Sequence, residues 1–168
     1  MKTLLIGLGN PILGDDGVGW RVAEQLQVHE NLPPGVEVDM LAVGGISLME
    51  RMIGYERAIL VDAIVSGEKP LGTVRFSPLG QIPNRAFGHT GSAHDTTLHN
   101  ALQAGRELGA QLPEDITVVT IESQNVYDFS EELSPAVAAR VPEAVDVVLK
   151  LLTSSPVGQC LEGNKPII

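Results

Sequence analysis

The stretch KTLLIGLGNPILGDDGVGWRVAEQL, residues 2–26, indicates the fold class of the chain. It begins with an apolar run of strand length, residues 2–8, and ends with Val18, Val22 and Leu26 at helical spacing. A glycine-rich turn joins the two segments. A buried strand that leads directly into an amphipathic helix is the opening of an α/β unit.

The same alternation of strand and helix continues to about residue 152. Further strands are predicted at 36–43, 58–65, 72–76 and 116–122, and helices at 46–53, 95–108 and 135–152. We expect the strand at 72–76 to lie at a sheet edge, Ser134 to cap the last helix, and Pro142 to divide that helix. Alternating strands and helices pair in parallel through right-handed crossovers. The pattern therefore predicts a single-domain three-layer α/β/α sandwich with a twisted, mostly parallel central sheet of about five strands.

Length and periodicity bound the domain. The 168 residues are enough for one compact domain and too few for two comfortable ones. We expect that domain to span residues 1–154. Residues 155–168 have no apolar periodicity, so we expect them to form a mobile tail.

Composition excludes several classes of partner. The chain has 21 acidic residues and 11 Lys and Arg, a formal net charge of -10, which opposes binding to a phosphate backbone. No apolar run approaches the roughly 20 residues that span a bilayer. The single cysteine, Cys160, rules out an intrachain disulfide and suits a reducing cytosol; with no base beside it, we expect a resting thiol. We expect a cytoplasmic protein that binds neither nucleic acid nor membrane.

Three aspartates interrupt the apolar pattern where strands end. Asp15 and Asp16 lie in the first turn, and one of them is enough to cap the following helix, which leaves the other to project into the crevice. Carboxylates in this turn also oppose a dinucleotide phosphate, so we expect no such cofactor. Asp62 interrupts an apolar strand, where a carboxylate costs several kcal/mol unless it is paired, hydrogen-bonded or bound to a metal. The alternative is that Asp62 caps a neighbouring loop.

A histidine is the remaining candidate for a side chain that joins the aspartates in the crevice. His94 precedes the helix predicted at 95–108, and His99 lies about one turn inside it. A residue at the start of a helix can face the crevice, so His94 is the better candidate to bring an imidazole to the aspartates. The other two, His29 and His89, are expected to be ordinary exposed side chains. Two carboxylates and one imidazole form an oxygen and nitrogen set for a borderline divalent ion such as zinc, nickel or manganese, with coordination positions left open.

Four blocks of sequence, in order, resemble the hydrogenase maturation endopeptidases. They are GLGNPILGDDGVG at 7–19, LVDA at 60–63, SAH at 92–94 and ELSPAV at 132–137. The resemblance implies a protease that removes a carboxy-terminal peptide from the precursor of a [NiFe]-hydrogenase large subunit after nickel insertion. It also implies that the protease has no permanent metal, because the substrate carries the nickel. We expect the free protein to be monomeric.

The same resemblance implies roles for three residues. Carried over by position, Asp16 is the nickel-contacting acid, Asp62 the second carboxylate and His94 the imidazole, and these three are the expected catalytic and metal-binding residues. The sequence leaves open whether Asp16 and Asp62 act as ligands or as general bases.

Departures and rival interpretations remain. Val43 stands where many relatives carry an acid, and residues 121–125 replace a Gly-x-Gln-Pro type turn. These differences leave open which hydrogenase is the substrate. The segment GLGNP also resembles the opening of bacterial peptidyl-tRNA hydrolases, but GDDG at 14–17 replaces their Thr-Arg-His-Asn segment. A nickel-site assembly chaperone that does not cut is a further alternative, because it would need the same ligands.

Overall fold

The computed structural model describes residues 1–82 and 97–154. The strands are β1 (Thr3–Leu8), β2 (Val36–Leu41), β3 (Arg57–Ile64), β4 (Val74–Pro78) and β5 (Asp115–Glu122). The helices are α1 (Val18–Gln27), α2 (Gly45–Arg51), α3 (Leu98–Glu107), α4 (Pro135–Ala138) and α5 (Val141–Thr153). Two short 3-10 turns are formed by Gly14–Gly17 and Leu79–Gln81. Three predicted features, His89, His94 and the tail at 155–168, lie outside the described residues.

The strands form one sheet in the order β2-β1-β3-β5-β4. Neighbours pair in parallel except β4, which is antiparallel to β5 at the edge. This confirms the predicted sheet of about five mostly parallel strands, with the short strand at one edge. The chain moves outward from β1 to β2 and then crosses back to β3 on the other side of β1. That reversal opens a crevice at the carboxyl ends of β1 and β3, where ligands gather in open α/β sheets.

Helices cover both faces of the sheet, as predicted for a three-layer sandwich. On one face, α1, α4 and α5 pack against apolar side chains of β1, β3 and β5 through Val22, Val137, Val145 and Val148. On the other face, α2 and α3 contribute Leu48, Met49, Ala101 and Leu102 to a second core. Strand side chains alternate between faces, and Ala58 and Leu60 belong to this second core. Asp62 therefore emerges on the face that α2 and α3 cover.

Glycine allows α1 to begin in contact with the sheet. A Cβ atom at Gly19 would lie 2.3 Å from the carbonyl oxygen of Val61 and 2.4 Å from that of Leu8. Gly7 is equally close, because its Cβ would lie 2.3 Å from the carbonyl oxygen of Gly19. Any larger residue would displace backbone, which cannot yield as a side-chain end can. These contacts fix the turn before α1 against the ends of β1 and β3.

Capping side chains and prolines help to set where the helices begin, which apolar periodicity alone did not show. α3 begins at Leu98, where the Thr97 side chain accepts a hydrogen bond of 3.3 Å from the Asn100 N–H. The last helical segment is divided as predicted, and Pro142 lies in the first turn of α5, where no intrahelical hydrogen bond is lost. Ser134 is the N-cap of α4, but its side chain does not cap that helix. None of the helices in the described ranges is long and apolar enough to cross a bilayer.

Candidate active site

Two of the three predicted site residues meet at the crevice between β1 and β3. Asp16 lies in the 3-10 turn Gly14–Gly17, is 7% exposed, and accepts a hydrogen bond of 2.7 Å from the Asn10 N–H through Oδ2. Asp62 lies near the carboxyl end of β3 and is partly buried. The two carboxylates are close enough for the charge of Asp16 to perturb the ionisation of Asp62. The structure therefore places a pair of acids at the topological switch point.

The pKa of Asp62 is raised toward neutral pH. Burial raises the pKa of Asp62 from its ordinary value of 3.8 to about 7, and the charge of Asp16 adds to the rise. A hydrogen bond from the Ala63 backbone opposes both effects. A carboxyl group with such a pKa can hold or release a proton near pH 7, as acid and base catalysis requires.

The raised pKa of Asp62 predicts how stability depends on pH. A carboxyl group whose pKa is higher in the folded than in the unfolded chain favours folding below pH 4, and this contribution disappears as pH rises through about 7. Asp62→Asn carries no charge at any of these pH values. Its unfolding free energy, relative to that of the wild type, should therefore increase by about 2 kcal/mol as pH rises from 5 to 8. Urea unfolding across this range, in the presence of a chelator, measures the gain. The exposed Asp146→Asn is the control, and parallel curves for Asp62→Asn and wild type would refute the shift.

Asp15 has a different task from its neighbour. Its side chain is completely buried, and Oδ2 accepts hydrogen bonds from the N–H groups of Gln124 (3.3 Å) and Asn125 (3.2 Å) and from the Ser134 hydroxyl (2.9 Å). Oδ1 accepts the Ser134 N–H at 2.6 Å. The sequence predicted a helix cap for whichever of Asp15 and Asp16 did not enter the crevice, and for Asp15 that prediction was wrong. The carboxylate instead fastens the loop between β5 and α4 to the turn that carries Asp16.

Glu122 is a buried acid whose role the sequence did not reveal. It ends β5, is 2% exposed, and accepts hydrogen bonds from the N–H groups of Ser66 and Gly67, both at 2.9 Å. The Ser66 hydroxyl donates a further bond of 2.7 Å. Glu122 therefore fixes the loop that follows β3, the strand of Asp62. An acid at the end of an apolar strand was the one available signal, and the same signal had identified Asp62.

The histidines that the structure describes do not join the carboxylates. The His29 ring nitrogen Nδ1 accepts the Asn31 N–H at 3.2 Å, and His99 Nε2 lies 3.1 Å from the carbonyl oxygen of Leu79. Within residues 1–82 and 97–154 there is no group of three histidine, cysteine or acidic side chains that would hold a metal ion. The predicted third residue, His94, precedes α3 in the chain and lies outside the described residues.

The fold and the carboxylate pair define the class of protein: an α/β protein with a mostly parallel sheet and two acids at its switch point, one of which has a pKa near neutral pH. A family model described as hydrogenase maturation protease (HycI) matches residues 20–151, which include Asp62 and His94. The chain belongs to the hydrogenase maturation protease family. It is therefore a peptidase, and the peptidyl-tRNA hydrolase interpretation is not supported.

Similar proteins agree in sequence and in structure. The hydrogenase 2 maturation protease of Escherichia coli is 31% identical over 157 residues, which cover 94% of each chain. The solved hydrogenase maturating endopeptidase HybD from E. coli superposes with a TM-score of 0.74 at 30% identity, covering 90% of this chain and 92% of that one. The crystal structure of a hydrogenase 2 maturation peptidase from a Thaumarchaeota archaeon gives 0.62 at 27% identity, with coverage of 90% and 98%.

Proposed function

We propose that this protein removes a carboxy-terminal peptide from the precursor of a [NiFe]-hydrogenase large subunit once nickel has been inserted. The observation that supports this substrate most directly is the pair of acids, Asp16 and Asp62, at the switch point of a chain in this family. In this proposal the nickel belongs to the substrate, and Asp16, Asp62 and His94 contact it when the precursor docks. The protease itself keeps no permanent metal.

The donor set fits such a substrate. Carboxylate oxygen and imidazole nitrogen both bind borderline divalent ions, and three protein groups leave positions for ligands that the precursor supplies. An ion in that place would polarise the scissile carbonyl or favour ionisation of a water molecule. Asp62, whose pKa is about 7, would then accept or donate the proton that peptide hydrolysis requires.

A processing assay tests the proposal. Purified protein is mixed with nickel-loaded and with nickel-free precursor, and intact mass spectrometry follows the loss of the carboxy-terminal peptide. We expect the mass loss for the loaded precursor only, with Asp16→Asn as the inactive control. Equal cleavage of both forms would contradict nickel recognition. Nickel-dependent co-purification without any mass loss would instead favour the chaperone alternative.

A further inference from the structure

The loop of residues 124–134, between β5 and α4, is fastened to the turn that carries Asp16. The Asp15 carboxylate holds both ends of the loop. It accepts hydrogen bonds from the backbone N–H groups of Gln124 and Asn125 at one end and of Ser134 at the other. At its middle, the Ser130 N–H donates to the carbonyl oxygen of Ile12 at 3.0 Å, and the Ser130 carbonyl accepts the Gly14 N–H at 2.7 Å. We call this loop the knuckle. Because it is fixed at both ends and at its middle, a partner that binds it has little loop entropy to remove.

The knuckle presents two aromatic rings to solvent. Tyr127 is 71% exposed and Phe129 is 86% exposed, whereas Val126 of the same loop is only 1% exposed and packs into the core. Ile12, bonded to the knuckle through its backbone, is 46% exposed. Single exposed apolar residues are ordinary, but two exposed aromatic side chains gathered on one fixed loop form the kind of patch that is typical of an interaction site. Exposed aromatic side chains on a rigid loop are also the groups that most often dominate binding energy.

The charge of the knuckle is uniformly negative. Asp128 lies between the two aromatic residues in the chain, and Glu131 and Glu132 follow; all three are exposed. Residues 124–134 contain no lysine or arginine, so the formal charge of this segment is the sum of three acids, -3. The nearby Arg21 donates to the Glu131 carbonyl oxygen at 3.0 Å, but its own charge is paired with Glu24 at 3.1 Å. The surface therefore fits a cationic partner.

Aromatic rings and acids together favour one kind of occupant. A guanidinium or ammonium group gains from a carboxylate and also from the face of an aromatic ring, and an apolar neighbour would cover the rest of the patch. We propose that the knuckle is the docking surface for a segment of the protein substrate that carries arginine or lysine beside an apolar residue. This rests on the proposed function, and it adds where the precursor is held: next to the turn Gly14–Gly17, from which a bound chain can continue to Asp16.

Kinetics of precursor cleavage test the knuckle. Tyr127→Ala combined with Phe129→Ala should raise KM roughly 10- to 100-fold and leave kcat within about twofold, because the rings bind substrate without touching the reacting atoms. The matched control combines Val28→Ala and Leu108→Ala, which are 84% and 88% exposed at the far ends of α1 and α3. The control should keep the wild-type KM. An unchanged KM in the aromatic variant, or an equal rise in the control, would overturn the proposal.

Charge reversal tests the cationic partner. Asp128→Lys, Glu131→Lys and Glu132→Lys together should also raise KM, and the increase should shrink as salt screens the interaction. A triple variant with the KM of wild type at low salt would refute a basic partner. Titration of the precursor against each variant, read as Kd, separates this proposal from the function. Wild type that binds the loaded precursor without cutting it contradicts the protease activity, whereas aromatic variants that bind as tightly as wild type contradict the docking surface.

Discussion

Asp16→Asn is expected to lower the rate of precursor cleavage by about 10²- to 10⁴-fold while leaving the protein folded. Asparagine preserves the shape of the side chain, and its amide oxygen can still accept the Asn10 N–H that Asp16 binds at 2.7 Å. What it removes is the negative charge. A neutral amide is a poorer ligand for a divalent ion and does not take up a proton at neutral pH.

Single-turnover cleavage of the nickel-loaded precursor measures this loss, and the urea midpoint confirms that the variant is folded. Asp146→Asn is a matched control, because it removes an exposed acid from α5, a helix that carries none of the candidate site residues, and it should cut at the wild-type rate. An Asp16→Asn variant that cuts within threefold of wild type would show that this carboxylate is not part of the catalytic site.

The same assay distinguishes the two roles left open for Asp62. If Asp62 is a general base, Asp62→Asn should bind the loaded precursor normally and fail to cut it. If it is a nickel contact, the variant should also lose the difference in affinity between loaded and nickel-free precursor. The pKa near 7 favours proton transfer for Asp62, whereas the hydrogen-bonded Asp16 is the better candidate for the metal contact.

The architecture was predictable because apolar periodicity decides it. The strand predicted at 58–65 is Arg57–Ile64 in the structure, and the helix predicted at 46–53 is Gly45–Arg51. The proximity of Asp16 and Asp62 followed from the same pattern. Carboxyl ends of adjacent parallel strands meet at one edge of the sheet, so an acid near the end of β3 and an acid in the turn that follows β1 are brought to the same edge.

Features that depend on distant parts of the chain were not predictable. The hydrogen-bond donors to Asp15 come from residues more than 100 positions away, and a nearby helix start offered a sufficient local explanation. Glu122 likewise binds a loop 55 and 56 positions earlier in the chain. The exposure of Phe129 is equally invisible in sequence, because an aromatic residue in a loop is as compatible with burial as with display.

Asp15→Ala is expected to cost about 3–5 kcal/mol of unfolding free energy, far more than the roughly 1 kcal/mol of a helix cap. The substitution removes a completely buried carboxylate and leaves the backbone donors of Gln124, Asn125 and Ser134 without their acceptor. Asp15→Asn should fare little better. Both carboxylate oxygens accept hydrogen bonds, so whichever position the amide nitrogen takes, it faces another donor.

Urea unfolding of Asp15→Ala and Asp15→Asn measures this cost, with the exposed Asp128→Asn on the knuckle as the control that should change stability by less than 0.5 kcal/mol. Amide hydrogen exchange gives a second readout, since the N–H groups of Asn125 and Ser134 should lose protection before the sheet does. The knuckle would then open while the core remains folded, and KM for the precursor should rise with it. A loss of only 1 kcal/mol with protected amides would mean that Asp15 is a local cap, and that other contacts hold the knuckle beside Asp16.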